Sequence, residues 1–376
     1  MSAEEKVRRG LRGVVFDRSG VSLIDGKAGE LSYRGYSIDD LAEKSSFEET
    51  ACLLIHGELP TKAELEDFEA RLKAGRTLPG PLRDMIRAMA DAHPMEVLRT
   101  AVSALPALGE PKGDDPGSFI EAGIRLTSQV PMIVAAHHRI RQGLEPVEPD
   151  ESLGHAANWL WMLEGEAPSA EAARLADLDF VLHAEHGSNA SSFAARVVVG
   201  TEADLHAAVT AAIAALSGPA HGGAAEDVMR MVDEIGEPEK AADYVRAKRR
   251  AREPVTGFGH RVYRAEDPRA RHMAGGVERL SEEKGDPRWF RILQAVREAM
   301  APYARHGLNV NVDFWSGAIY ALHGLPRDLY VPIFAIGRVP GWVIQCVEQK
   351  RANILIRPLT AYDGPPPRRY VPIDER

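Results

Sequence analysis

Cysteine is nearly absent. Cys52 and Cys346 are the only two in 376 residues, and they stand far apart in the chain with no CxxC pair. That excludes a disulfide framework and a zinc ribbon, and it suits a reducing cytoplasm. HExxH is missing too, which removes the zinc-protease helix. No stretch approaches the roughly 18 apolar residues of a membrane span, and Met1-Ser-Ala-Glu-Glu-Lys6 has no apolar signal-peptide core. A soluble, cytoplasmic chain with no membrane partner is therefore expected. Alternating apolar and polar residues are confined to about residues 13–36, which leaves little room for a sheet protein. Internal repeats and low-complexity segments are also lacking. Gly257-Phe-Gly259 has no third glycine and no strand–helix–strand setting, so a dinucleotide fold is disfavoured.

What is present is an ordinary globular composition, 44% hydrophobic and 27% charged, long enough for two packed domains. A formal charge of −9 argues against a general nucleic-acid binder. Positive charge is nevertheless concentrated locally. Lys248-Arg249-Arg250-Ala251-Arg252 runs into Gly257-Phe258-Gly259-His260-Arg261. A solvated helix face would explain such a run. Its place ahead of a histidine-bearing glycine loop points instead to a phosphate contact.

Helical patterns dominate. Thr61 and Glu64 form a capping box before Leu65, Phe68 and Leu72, with Gly75 ending the segment. Ser169 caps a helix with Leu175, Leu178 and Leu182 on one stripe. A third helix is expected from about Asp204 to Leu216, stopping at Gly218-Pro219. A fourth carries Val228, Met229, Val232 and Ile235, with Glu226 and Asp227 at its favourable dipole end. Asp267-Pro268 reads as N-cap and first residue of a fifth, which carries Met273, Val277 and Leu280 and closes at Gly285. The proline-rich tail, Pro365-Pro-Pro-Arg-Arg-Tyr370, should run extended over a surface. The fold class is all-α.

Four segments set polar residues among small or apolar ones. They are His183-Ala-Glu-His186-Gly-Ser-Asn189-Ala-Ser191; Ser217-Gly-Pro-Ala-His221-Gly-Gly; Gly257-Phe-Gly-His260-Arg-Val-Tyr-Arg264-Ala-Glu-Asp267-Pro-Arg269; and Asn309-Val-Asn-Val-Asp313-Phe-Trp-Ser-Gly. Gly337-Arg338-Val-Pro-Gly-Trp342 follows downstream. His221 precedes a helix N-terminus, which disfavours imidazolium and suits a neutral donor; a histidine filling a helix–helix corner would look the same. Asp313, between Val312 and Phe314, sits where an apolar setting raises a carboxylate's pKa and sharpens it as a base. The alternative is an N-cap for a helix starting near Ser316. Arg269 and Arg338 lie in rigid backbone and would make well-fixed forks for carboxylates, or they are surface arginines. His183 and His186 share a helix face, and His221 and His260 could complete a metal site. The scarcity of nearby carboxylates argues against one, so no metal is expected. His56, His93, His137, His138, His206 and His323 read as ordinary core or surface residues.

In this order and spacing, the four segments resemble the citrate synthase family, in its short bacterial and archaeal form. The likeness covers nearly the whole chain, through Leu31-Ser-Tyr-Arg-Gly-Tyr-Ser-Ile, Gly57-Glu-Leu-Pro-Thr-Lys-Ala-Glu-Leu and His93-Pro-Met-Glu-Val-Leu-Arg-Thr to Arg357-Pro and Tyr362-Asp-Gly. It implies condensation of acetyl-CoA with oxaloacetate, with acetyl-CoA as substrate, CoA as product and no permanently bound cofactor. By the resemblance, Asp313 removes the methyl proton, His221 donates to the thioester oxygen and His260 polarises the ketone. His186, Arg269 and Arg338 hold carboxylates, and Arg357 reaches the other subunit's site in a homodimer. Arg264 meets a CoA phosphate, with Val255, Gly257, Phe258 and Arg261 near the adenine. Asn189 and Ser191 support the catalytic histidine. The resemblance further implies a large domain, residues 1–222 and 325–376, and a small domain, 223–324, closing over substrate. The chain lacks the length for the extra N-terminal domain of the longer bacterial form, so its NADH inhibition is not expected. The departures are Glu185 and Gly187, where the family more often has Asp and Glu, and Ala220 and Ala225, where it more often has Leu and Asn. They leave 2-methylcitrate synthesis from propionyl-CoA open, because one methylene changes discrimination by only about 1–3 kcal/mol. A non-catalytic relative that binds CoA or citrate is the reading from another class.

Overall fold

Among the described residues, named strands form one hairpin-built sheet near the N-terminus, with an isolated antiparallel bridge between Phe258 and Val310 elsewhere. The computed structural model describes residues 7–376; Met1 to Lys6, expected to open the large domain and to lack a signal-peptide core, lie outside the described residues. Strands β1 (Ser22–Asp25), β2 (Glu30–Tyr33) and β3 (Tyr36–Ser37) pair antiparallel in that order, Ser22 opposite Tyr33 and Asp25 opposite Glu30. The period-two pattern turns Leu31 and Tyr33 inward. The other regular elements among the described residues are helical, so the class is all-α, as the sequence indicates.

Most helix boundaries follow their caps. Thr61 Oγ1 accepts from Glu64 N while Glu64 Oε2 accepts from Thr61 N at 2.8 Å, and the helix Lys62–Ala74 follows. Ser169 and Asp204 cap Ala170–His183 and Leu205–Leu216 through their side-chain oxygens. Two boundaries differ from expectation. After Asp267 only a 3₁₀ turn forms, Ala270–His272, and the regular helix is Ala274–Glu283. The Asp267 carboxylate accepts from Arg269 N at 3.1 Å, from the Arg269 guanidinium and from Val312 N at 3.2 Å, so it caps one tight turn while also tying down another segment. Asp313, in turn, does not cap a helix starting near Ser316. It is the first residue of Asp313–Leu322.

The centre of the fold is the helix Tyr330–Arg351, buried along nearly its whole length. It packs on Pro116–Arg141, Ala190–Val199, Ala170–His183, Leu205–Leu216 and Phe47–His56. Contrary to the expectation that no stretch approaches a membrane span, the segment Arg327–Arg351 is long and apolar enough, with mean hydropathy 1.3 over its best window; 94% of that window is buried inside the protein. Close approach needs small residues. A Cβ on Gly341 would lie 2.1 Å from Ala184 O and 2.7 Å from Glu185 Oε2, so glycine alone lets this helix meet the turn after His183. The helices Ala224–Ile235, Ala241–Arg250, Ala274–Glu283, Arg288–Met300 and Asp313–Leu322 pack chiefly on one another. They reach the rest mainly through Ala170–His183 and Tyr330–Arg351. Beyond Arg351 the chain runs exposed and without regular structure to a last short turn, Ile373–Glu375.

Candidate active site

His186 lies on the turn between the helices Ala170–His183 and Ala190–Val199. Glu185 shapes that turn. Its buried Oε1 accepts from Gly187 N at 2.6 Å, Gln345 Nε2 at 2.9 Å and Ser22 Oγ at 3.2 Å. Burial raises its pKa to about 7, against the field of Arg338. The Tyr33 hydroxyl donates to Glu185 O at 2.9 Å. His186 Nε2 shares a 3.0 Å hydrogen bond with the Tyr263 hydroxyl, and its ring stands 5.3 Å from that of His260. Burial, with Arg269 and His260 nearby, keeps His186 neutral.

Backbone geometry fixes the tautomer of His260. Nδ1 accepts from Val262 N at 3.0 Å and Tyr263 N at 3.2 Å. An acceptor Nδ1 puts the proton on Nε2, which is then a donor. Burial, followed by Arg269, lowers the pKa of His260 to about 4. Its ring is therefore neutral at pH 7.

His221 sits in the bend between Leu205–Leu216 and Ala224–Ile235. Ser191 N–H points at its Nε2 at 3.3 Å, and Ser191 Oγ lies 2.9 Å from the same nitrogen. That makes Nε2 the acceptor and assigns the proton to Nδ1. Ser191 is itself held by Asn189 Oδ1 at 2.7 Å and by Trp342 Nε1–H at 3.0 Å. Burial is the main cause, ahead of the Arg338 charge, of a His221 pKa near 4. The ring is therefore neutral at pH 7.

Asp313 is partly exposed, and no hydrogen bond to its carboxylate forms among the described residues. Desolvation raises its pKa, opposed by the fields of His183 and Arg269. Such a carboxylate is a strengthened base. Arg269 is buried and chelated by Asp267, Nε to Oδ1 at 3.0 Å and Nη2 to Oδ2 at 2.8 Å. Burial would depress its pKa, but Asp267 outweighs it and holds the guanidinium charged. Arg338 is buried as well, donating from Nε to His183 O and stacked 4.7 Å over Phe334. Its field reaches His186, His221, Asp313 and Arg269, which ties these groups into one electrostatic unit.

His183 shares no hydrogen bond with these groups. Its Nδ1 faces Asp179 O at 2.8 Å and its ring packs on Phe334. Val255 and Gly257 are packed inward, Gly257 so tightly that a Cβ would lie 2.5 Å from Phe314. Phe258 is half-buried, edge-on to Phe314, while Arg261 and Arg264 are exposed. Arg357 lies in the exposed tail. Tyr263, Asp267 and Glu185 were not expected to act in the site. The available signal was their place inside the four polar segments. What their side chains grip could not be read from it.

Two neutral imidazoles of fixed tautomer, a strengthened carboxylate and two buried guanidiniums define a class first: an all-α enzyme equipped for acid–base chemistry on an anionic substrate. Comparison with known proteins shows the family. The family model described as "Citrate synthase, C-terminal domain" matches residues 10–359, and the chain belongs to the citrate synthase family. It is thus an acyltransferase with the large and small helical domains of that fold. A citrate synthase of Haloferax volcanii is 44% identical over 100% of both chains. A 2-methylcitrate synthase of Mycobacterium tuberculosis is 42% identical over 95% of this chain and 91% of its own. The citrate synthase of Thermoplasma acidophilum, solved in a ternary complex with carboxymethyl coenzyme A and oxaloacetate, superposes with a TM-score of 0.92 at 30% identity. That match covers 99% of this chain and 100% of the other.

Proposed function

We propose that this chain condenses acetyl-CoA with oxaloacetate and water to give citrate and CoA. The observation that carries the reading is the pair of neutral histidines, His221 offering Nδ1–H and His260 offering Nε2–H, beside a desolvated Asp313. Asp313 takes a proton from the acetyl methyl group while the thioester oxygen receives the His221 hydrogen bond. A pre-placed donor of this kind contributes about 3–4 kcal/mol to the transition state. The enol carbon attacks the oxaloacetate ketone, whose oxygen, polarised by His260, takes up a proton equivalent to the one Asp313 removed and becomes the citrate hydroxyl. Water then cleaves the citryl thioester, giving the carboxylic acid and the CoA thiol. His186, Arg269 and Arg338 hold the dianion and offset charge that would repel the incoming enol. No metal and no permanently bound cofactor enter this scheme. In this reading the exposed Arg264 meets a CoA phosphate, with Val255, Gly257, Phe258 and the exposed Arg261 near the adenine.

The small domain is taken as 223–324 and the large one as 1–222 with 325–376, closing over oxaloacetate in the cytoplasm. The active unit is taken as a homodimer in which Arg357 serves the partner's site. Exposed Ile354, Leu355, Leu359 and Tyr362 on the same tail favour cover by a second copy. A 2-methylcitrate synthase activity is the second reading, favoured by the near-equal identities, 44% and 42%, to relatives of the two kinds. Thiol release under oxaloacetate plus acetyl-CoA tests the reaction, and kcat/KM with propionyl-CoA ranks the acyl groups. No thiol from either would leave only a binding protein.

A further inference from the structure

We infer that the β1–β2 turn, through Gly26, is a positioning element for the His260 imidazole. The inference rests on the reading of His260 as the ketone-polarising donor. Its starting point is one peptide plane, the unit joining Val262 to Tyr263. The N–H of that plane donates to His260 Nδ1 at 3.2 Å. Its C=O faces the turn, where a Cβ on Gly26 would lie 2.3 Å from Val262 O and 2.9 Å from Val262 C. Because the peptide is planar, whatever fixes the carbonyl also fixes the N–H on the other side. Gly26 has an ordinary φ, so its demand for glycine is one of contact and not of backbone conformation.

The same turn grips the loop at further points. Arg264 N donates to Gly26 O at 2.7 Å, and Arg271 Nη2 donates to Gly29 O at 3.0 Å. A Cβ on Gly29 would lie 2.9 Å from Ala265 Cβ and from Glu266 O. Farther along, His272 Nε2 meets Asp39 Oδ1 at 2.5 Å, and Arg271 Nε stands 3.6 Å from the same oxygen. The turn is stiff in its own right, since Asp25 Oδ1 accepts from Lys27 N and Ala28 N, each at 2.9 Å. Residues 262–272 thus lie on a rigid edge contributed from more than two hundred positions earlier in the sequence. The loop holds the Nδ1 acceptor geometry, and so the Nε2–H donor, only while the edge supports it. Arg269, between the two sets of contacts, is held by the same edge.

The test uses the intact enzyme and three variants: Gly26→Ala, Arg271→Ala combined with Asp39→Asn, and His260→Ala. Gly80→Ala, where a Cβ meets open space, is the control. The readout is the carbonyl stretch of bound 13C-labelled oxaloacetate alongside kcat and KM. In wild type the ketone band should lie below its free position, and His260→Ala should abolish that shift. Gly26→Ala should reverse much of it and lower kcat/KM by about ten- to a hundredfold, the scale of a misplaced catalytic group. The double variant alters only half-exposed side chains and keeps the test alive should Gly26→Ala fold poorly; a smaller reversal and a rise of a few-fold in oxaloacetate KM are expected. Folded variants with a wild-type band and kinetics would overturn the inference. A wild-type enzyme that polarises no ketone and releases no thiol would instead overturn the functional reading beneath it.

Discussion

The two histidines proposed to act in catalysis, His221 and His260, are held by different kinds of structure. His221 leans on a wall. Its Ser191 support is gripped by Trp342 from the buried helix Tyr330–Arg351, and neighbouring Arg196 ties that wall to Glu348 at 3.1 Å and to Gln345 at 3.0 Å. His260 is held by its own loop, through Val262 N and Tyr263 N, and the loop rests on the β1–β2 turn. The wall gains its precision from core packing that is lost only when the fold is lost. The loop depends on a few polar contacts, the usual condition of a segment that moves when substrate binds. Geometry at His221 and geometry at His260 should therefore fail in different ways.

The largest effect should come from removing the chemistry and leaving both supports intact. Asp313→Ala and His221→Ala are each expected to lower kcat by at least about a hundredfold, the cost of losing a base or an oxyanion donor. Melting temperature should hardly move. A folded variant within a few-fold of wild type would remove its residue from the mechanism.

Next comes a test of whether the tail belongs to a neighbour's wall. Arg357→Ala and His221→Ala, each nearly inactive alone, should complement when co-expressed. With random pairing about half the dimers are mixed, each with one intact site, so roughly a quarter of wild-type activity should return. Mass measurement first confirms the mixed dimers. No recovery would mean that Arg357 serves its own chain or none.

Ser191→Ala sharpens the contrast itself. It leaves Trp342 Nε1 without its partner and His221 with only the Ser191 N–H for support, so activity and stability should fall together, the latter by about 1–3 kcal/mol. A loss of activity with no change in melting would make the wall as loosely held as the loop.

The smallest effect concerns Glu185, which braces the wall beneath His186. Its carboxyl has a pKa of about 7 in the fold against an ordinary 4.5. Between those values the folded state holds a proton that the unfolded state has lost, so stability falls as pH rises through the window. Asp177, raised to about 7 by burial, adds to the same slope. Glu185→Gln should flatten the wild-type decline between about pH 4.5 and pH 7 by on the order of 1–3 kcal/mol. An unchanged slope would show that Glu185 ionises freely.

Part of the contrast is legible in the order of residues. Thr61, Ser169 and Asp204 announce their helices because a cap is a local hydrogen bond, complete within three or four residues. Asp267 announces one wrongly, because its carboxylate is divided between its own turn and Val312, a partner no local pattern reveals. His186, His221, His260, Asp313, Arg269 and Arg338 stand out as polar residues in small-residue settings, and the order of their motifs points to the family. The sequence by itself therefore determined the helical class, most helix ends and the cast of reactive groups, since each depends on residue type and short spacing. Only the tertiary structure decided which nitrogen of each imidazole carries the proton. It alone set Tyr263 against His186, His183 against Asp179 and Gly26 under the His260 loop. Those outcomes depend on directions in space and on the desolvation that many distant residues create together, and neither is written in any one stretch of chain.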